Sequence, residues 1–251
     1  MGLTKIELKE LFSNFGEKGY RSTQAVKWIH QRGVSDISKM TDLSKELRER
    51  LTQSCEIRVP EVIYERDSKD GTRKWVVSVG EGDLIEMVLI PEGKRATLCV
   101  SSQVGCAIDC SFCATGKQGF SRNLTLAEII GQLWIAENSF GNSREKGERN
   151  ITNVVMMGMG EPLYNFDNVK GALKLVMDGA GLALSKRRIT LSTSGVVPAM
   201  QRCGEEIGVN LAVSLHAVTK EVRDEIVPIN RKYGIEELLE ACAAYPGASN
   251  A

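Results

Sequence analysis

Cys106, Cys110 and Cys113 stand in the spacing C-x3-C-x2-C, directly after the β-branched and apolar run Thr97-Leu-Cys-Val100. Such a run reads as a buried strand that feeds the three thiols into a loop at its C-terminal end. Three thiolates in one loop are ligands for a metal centre. A structural zinc site takes four ligands, usually as two pairs, and no second pair is present: Cys55, Cys203 and Cys242 are isolated, and His30 and His216 have no partner at ligand spacing. Structural disulfides require an oxidising compartment, and the seven cysteines are odd in number. Three cysteines suit a [4Fe-4S] cluster held at three irons, with the fourth iron open to a small-molecule ligand.

Phe112, immediately before the third cysteine, completes a pattern that resembles the radical S-adenosylmethionine (SAM) superfamily. The motifs Gly16-Glu-Lys-Gly-Tyr-Arg21, Asn153-Val-Val-Met-Met-Gly-Met-Gly-Glu-Pro162 and Ser214-Leu-His216 narrow the resemblance to the RlmN/Cfr family of RNA adenosine methyltransferases, over nearly the whole chain. The resemblance implies that Cys106, Cys110 and Cys113 ligate the cluster, and that its open iron chelates the amino and carboxylate groups of SAM. Electron injection, from a donor such as a flavodoxin-type reductant, would then give a 5′-deoxyadenosyl radical. It further implies that Gly158 and Gly160 permit close backbone approach and that Glu161 accepts from the SAM ammonium. Ser192, Ser214, Leu215 and His216 would hold the ribose and the rest of SAM.

Two more roles follow from the resemblance alone. Glu86 aligns with an acidic residue that acts as a proton acceptor near the substrate adenine. Cys99 matches a second redox-active thiol, which attacks a thioether-linked RNA adduct, releases product and leaves a disulfide. Read without the family, the stretch from Gly158 to Pro162 is a strand-ending turn, Glu86 a polar-face strand residue, Cys99 a small buried residue and His216 a packed histidine. The implied substrates are adenosines of 23S rRNA and tRNA, methylated at C2; methylation at C8, and an inactive fragment that only binds cluster or RNA, are the alternatives. The family's methyl-acceptor cysteine has no counterpart in Cys203 or Cys242, so the chain is expected to bind a cluster without methylating RNA.

Composition limits the surroundings. Lys plus Arg and Asp plus Glu both number 32, so no global field draws the protein to nucleic acid, and RNA contact must come from local patches. Lys186-Arg-Arg188 is one such patch. The N-terminal ten residues are charged without an apolar segment, and no later run reaches the ~18 apolar residues of a membrane span. A cytoplasmic monomer without membrane contact is expected.

The fold expected is α/β: a partial (β/α)6-type radical SAM barrel with four of six strands, preceded by a small helical domain and a β-meander. In residues 1–55, Thr4 with Glu7 forms a capping box, Gly16 ends the first helix, and Ser22 and Ser44 are expected to cap two more. Tyr20, Arg21, Lys27, Trp28, His30 and Arg32 mix basic and aromatic groups suited to RNA, and the resemblance implies that this domain approaches it. Residues 56–95 read as the meander, with turns at 68–71 and 80–83. Residues 96–251 alternate strand and helix as barrel units do, with strands over 97–100, 151–157, 188–191 and 209–215. Their apolar character predicts cover on both faces. Thr125 and Glu128 form a second capping box, Asp167 is expected to cap the next helix, residues 142–150 form an exposed connection, and 235–245 a last helix. An unpaired parallel edge would remain, which predicts poor solubility unless it is covered.

Overall fold

The computed structural model describes residues 1–140 and 150–246. Three helices come first. In α1 (Lys5–Asn14) the Thr4 hydroxyl accepts from the Glu7 amide, and the Glu7 carboxylate accepts from the Thr4 amide at 2.7 Å. This capping box satisfies donors that a helix start leaves open. The chain leaves α1 through Gly16 at φ +75°. The start of α2 (Tyr20–His30) differs from expectation. Gly19 is the cap residue, and Ser22 lies buried inside the first turn, its hydroxyl donating back to the Gly19 carbonyl at 2.7 Å. A hydroxyl that can reach a carbonyl in the preceding turn need not serve as a cap. α3 (Lys45–Ser54) does begin at Ser44, whose hydroxyl accepts from the Leu47 amide. Phe12, Ala25, Ile29, Met40, Leu43, Leu47 and Leu51 close a small core among these helices.

The strands β1 (Glu61–Asp67), β2 (Arg73–Ser78), β3 (Leu84–Glu92) and β4 (Arg95–Cys99) form an antiparallel meander. A hairpin follows, β5 (Gln103–Gly105) paired with β6 (Phe120–Asn123), and the one-turn α4 (Ala114–Lys117) lies between its strands. The chain then alternates: α5 (Leu126–Asn138), β7 (Asn153–Met156), α6 (Phe166–Met177), β8 (Ile189–Thr193), α7 (Val197–Glu206), β9 (Asn210–Val213), α8 (Lys220–Ile226) and α9 (Ile235–Ala243). One seven-stranded sheet results, in the order β1-β2-β3-β4-β7-β8-β9, with β4, β7, β8 and β9 parallel. Four parallel strands with intervening helices are the expected partial barrel. The hairpin and α8 are additions that periodicity did not reveal.

The sheet buries one face. Leu98, Val100, Val154, Met156, Ile189 and Leu191 pack against Ile129, Ile130 and Leu133 of α5 and Val169, Leu173 and Val176 of α6. Their neighbours Thr97, Cys99, Val155, Thr190 and Ser192 are only half-buried. Cover on both faces is therefore not what the strands show: burial alternates with the strand period of two, and the second face stays open enough to hold a site. Asp167 is not the cap of α6 either. Asn165 occupies that position without a capping side-chain bond, and Asp167 lies in the first turn, where its charge meets the positive end of the helix. The second capping box holds, with Thr125 and Glu128 exchanging bonds at the start of α5. Of the expected connection 142–150, all but Asn150 lies outside the described residues. Among the described residues no helix is long and apolar enough to cross a membrane.

Candidate active site

The parallel strands all deliver their loops to one end of the sheet. The cysteine loop is held there by the β5–β6 hairpin and α4. The Cys106 amide donates to the Gly119 carbonyl at 3.0 Å, the Cys113 amide to the Cys110 carbonyl at 3.1 Å, and Cys113 caps α4. Gly105, at φ +74°, must be glycine: a Cβ there would lie 1.7 Å from the Gly119 carbonyl oxygen. Three thiols thus face a cavity of about 240 Å³, whose other walls include Gly160 and Glu161 after β7, Ser192 of β8, and Ser214 and His216 after β9.

The cavity wall is fixed by buried polar groups. The Glu161 carboxylate, 2% exposed, accepts from the Leu163 amide at 3.1 Å and the Ser194 amide at 2.8 Å, so it ties the loop after β7 to the loop after β8. Burial raises its pKa and these amides pull it back. The Glu161 amide in turn donates to the Gln103 side chain at 2.8 Å. Ser101 accepts from the Met159 amide at 2.8 Å and donates to the Glu86 carbonyl at 2.6 Å. Asn165 donates to the carbonyls of Ser102 and Leu124. Gly158 and Gly160 have a reason other than ligand approach: a Cβ on the first would meet Ser101 at 2.7 Å, and on the second Gln103 at 2.4 Å. The chain's own neighbouring loop presses on them.

The predicted cofactor residues separate into two groups. Cys106, Cys110, Cys113, Gly160, Glu161, Ser192, Ser214 and His216 share the cavity. The Ser192 and Ser214 hydroxyls are 3.4 Å apart. His216 sits at φ +59°, uncommon for a residue with a side chain, and its ring lies 4.4 Å from that of Phe112. Leu215 is not in the cavity lining; its carbonyl accepts from the Arg223 guanidinium at 3.1 Å. Glu86 and Cys99 also lie outside the lining. Glu86 is ion-paired with Lys74 at 2.6 Å, and Cys99 ends β4 as a half-buried free thiol whose pKa burial raises. Strand register nonetheless puts them on the sheet face of Ser192: Val88 pairs with Cys99, Cys99 with Val155 and Val155 with Thr190, and residues two apart share a face.

The thiol chemistry fits a cluster better than a single ion. Among the described residues no three His, Cys, Asp or Glu side chains gather around one point closely enough for a metal ion. The cysteines instead border a common cavity, as ligands of a four-iron cube must. Burial pushes Cys106 up to about 11, helped by charge on Glu161, Cys110 and Cys113. Cys110 is raised by burial first and by Cys113 next. A bound cation reverses that preference outright, since a coordinated thiol is deprotonated. His30, by contrast, is no surface contact residue. It is buried, and desolvation lowers its pKa to about 4, so it is neutral at pH 7. Tyr20, Lys27 and Arg32 of the same group are exposed, and Arg32 lies 3.9 Å over the Trp28 ring.

A cysteine loop set on the ends of parallel strands, beside hydroxyls and a buried carboxylate, is the arrangement of a radical SAM fold. Residues 100–248 match the radical SAM superfamily, and residues 1–57 match the ribosomal RNA large subunit methyltransferase N-terminal domain. The crystal structure of a radical SAM methyltransferase from Sphaerobacter thermophilus superposes with a TM-score of 0.89 at 40% identity, over 97% of this chain and 71% of that one. The dual-specificity RNA methyltransferases RlmN of Erythrobacter litoralis and Marinobacter nauticus are 57% and 56% identical to the chain, over 100% and 98% of its length. The chain spans 65% and 66% of those relatives. It belongs to the radical SAM superfamily.

Proposed function

We propose that the chain carries the cluster-binding and SAM-binding part of an enzyme that methylates C2 of adenosine in 23S rRNA and tRNA. The observation that supports this most is the convergence of Cys106, Cys110 and Cys113 with Ser192, Ser214, His216 and Glu161 on one cavity. The similarity to RlmN relatives favours C2 over C8. Cys106, Cys110 and Cys113 would hold a [4Fe-4S] cluster, which would pass one electron from the external donor to the sulfonium of SAM, yielding methionine and a 5′-deoxyadenosyl radical. The chain's own residues bind and orient. Cys106, Cys110 and Cys113 give thiolates to three irons, and the Ser192 and Ser214 hydroxyls, already within 3.4 Å of each other, offer donors and acceptors to the ribose. Glu161 uses one lone pair of each oxygen on an amide and has others for the SAM ammonium. His216, held by its backbone against Phe112, closes the wall.

Glu86 acts as proton acceptor toward the adenine once Lys74 releases it, and Cys99 as the resolving thiol, both from the sheet face they share with Ser192. Among the described residues no cysteine beyond the three lines the cavity: Cys203 is buried against the Tyr245 hydroxyl, and Cys242 is half-buried on α9. The residues described here thus account for SAM cleavage and not for the methyl-acceptor step. Residues 1–55 form the RNA-approach region, 56–95 the meander and 96–251 the barrel. The enzyme works as a cytoplasmic monomer with a flavodoxin-type donor.

Anaerobic reconstitution tests this reading. The wild-type chain is expected to take up about four irons and four sulfides, to show charge-transfer absorbance and to release 5′-deoxyadenosine from SAM under strong reductant. Cys110→Ala should lose all three signals. A colourless wild-type protein, or one that binds zinc alone, would sink the proposal.

A further inference from the structure

Arg223 on α8 is 0% exposed. Its Nε donates to the Leu215 carbonyl at 3.1 Å, its Nη1 to the Asn230 side-chain oxygen at 2.8 Å, and its Nη2 to the carbonyls of Ser194 at 2.7 Å and Ser214 at 3.4 Å. Every acceptor is a neutral oxygen. A guanidinium remains charged inside a protein, and a buried charge is costly unless a countercharge or a full set of dipoles meets it. The adjacent carboxylate of Asp224 is engaged elsewhere, with Lys220 at 2.6 Å and with Asn230. Cys110 and Asp224 are the ionisable groups that bear on Arg223.

The loops that Arg223 joins are the walls of the cavity. Ser194 follows β8, holds Glu161 through its amide and reaches Cys110 through its hydroxyl. Ser214 and Leu215 follow β9. The end of α8 also grips the cysteine loop, because the Ser111 amide donates to the Ile226 carbonyl at 3.1 Å.

We propose that Arg223 is a positioning residue for the iron-sulfur centre: it clamps the Ser194 and Ser214–Leu215 walls and sets a permanent positive charge behind Cys110 that raises the reduction potential of a cluster bound there. The inference rests on the cluster reading above. A thiolate-ligated cluster is anionic, and an added electron makes it more so, so a fixed cation in a low-dielectric wall stabilises the reduced form. Partners beyond the ligands commonly tune a metal centre in this way. The same centre gives the guanidinium the countercharge that its neutral acceptors do not provide.

The test compares wild type, Arg223→Gln and Arg223→Lys after anaerobic reconstitution. Iron and sulfide content come first, circular dichroism checks the fold, and spectroelectrochemical titration gives the midpoint potential. Glutamine keeps donors without charge, and lysine keeps charge without the fork. The expected result is a lower potential in the glutamine variant and a potential near wild type in the lysine variant. Loss of iron from the glutamine variant alone, with lysine at the wild-type potential, also supports the charge role. An unchanged potential in the glutamine variant, an equal shift in both variants, or loss of fold or iron in both overturns it, since each leaves Arg223 a purely structural part. A wild type without iron overturns the cluster reading itself, which separates that failure from one confined to Arg223.

Discussion

In the bundle of α1, α2 and α3, apolar side chains such as Phe12, Met40, Leu43, Leu47 and Leu51 are buried against one another, and Ser22 and His30 are the polar residues buried with them. At the ends of the parallel strands the buried residues include Ser101, Ser102, Gln103, Gln132, Glu161, Asn165, Thr193, Arg223 and Asn230. The two regions are held by different forces. Apolar burial is strong and without direction, so a bundle tolerates small shifts. A buried polar network is costly when partly satisfied and rigid when complete, because each bond has its own angle and length. The strand ends thus trade ease of packing for fixed loop positions, which a site must have and an apolar bundle need not.

The strongest challenge to this contrast is Phe12→Ala. Phe12 is 1% exposed at the centre of the bundle core, and removing a buried phenyl ring costs about 4 kcal/mol. Chemical denaturation should show that loss, while iron content after reconstitution stays at the wild-type level. Loss of the cluster as well would mean that the bundle and the strand ends are one cooperative unit. A smaller effect comes from acid. The folded chain holds His30 at about 4 against 6.5 for the free group, because burial excludes its charge and the N-terminal ammonium opposes it. Between those values the unfolded chain binds a proton that the folded chain refuses, so stability is complete above about pH 6.5 and falls as pH drops toward 4. The total is about 3 kcal/mol, and about 2 kcal/mol of it should be lost between pH 7 and pH 5. Denaturation at those two pH values, compared with His30→Gln, isolates the term; equal slopes in both proteins would place His30 in contact with water.

The two regions were also unequally legible in the sequence. Capping boxes at Thr4 and Thr125, the stop at Gly16 and the cap at Ser44 are local signals, and the structure has them where expected. The cysteine spacing and the Gly-Met-Gly-Glu-Pro turn are local as well, and both reach the cavity. What failed was long-range. Ser22 and Asp167 look like caps, but other residues took those positions once the chain direction was set by packing. His30 looks like a surface base, and only the fold shows that it faces inward. The glycines of the turn line the cavity, but a second reason for them was not legible: Ser101 and Gln103, 57 residues away along the chain, press on them. Arg223 carried no signal of its own except its place in the run Arg223-Asp-Glu-Ile-Val-Pro-Ile-Asn230, where a charged residue with Asn seven positions on precedes a proline-broken helix. Nothing in that spacing predicts which carbonyls it will meet.

The smallest expected effect concerns the outer surface of the bundle, where stability and binding should come apart. Arg32 stacks its guanidinium 3.9 Å over the Trp28 ring and lies 3.4 Å from Asp42, with about half of its side chain in water. An exposed cation over an indole is worth about 0.5–1 kcal/mol, and an exposed ion pair with this much solvent adds little to it. Arg32→Ala should therefore lower stability by about 0.5 kcal/mol, far below the effect of emptying the Phe12 site. The same group is a half-exposed cation, loosely paired with Asp42, beside an aromatic face, the pairing that suits a phosphate and a stacked base. If residues 1–55 approach RNA, Arg32→Ala should weaken retention of a tRNA or rRNA fragment several-fold at low salt, and the salt slope of binding should fall by about one charge. Binding that stays at the wild-type level with the wild-type slope would assign this face to solvent and leave the bundle as a packed cover alone.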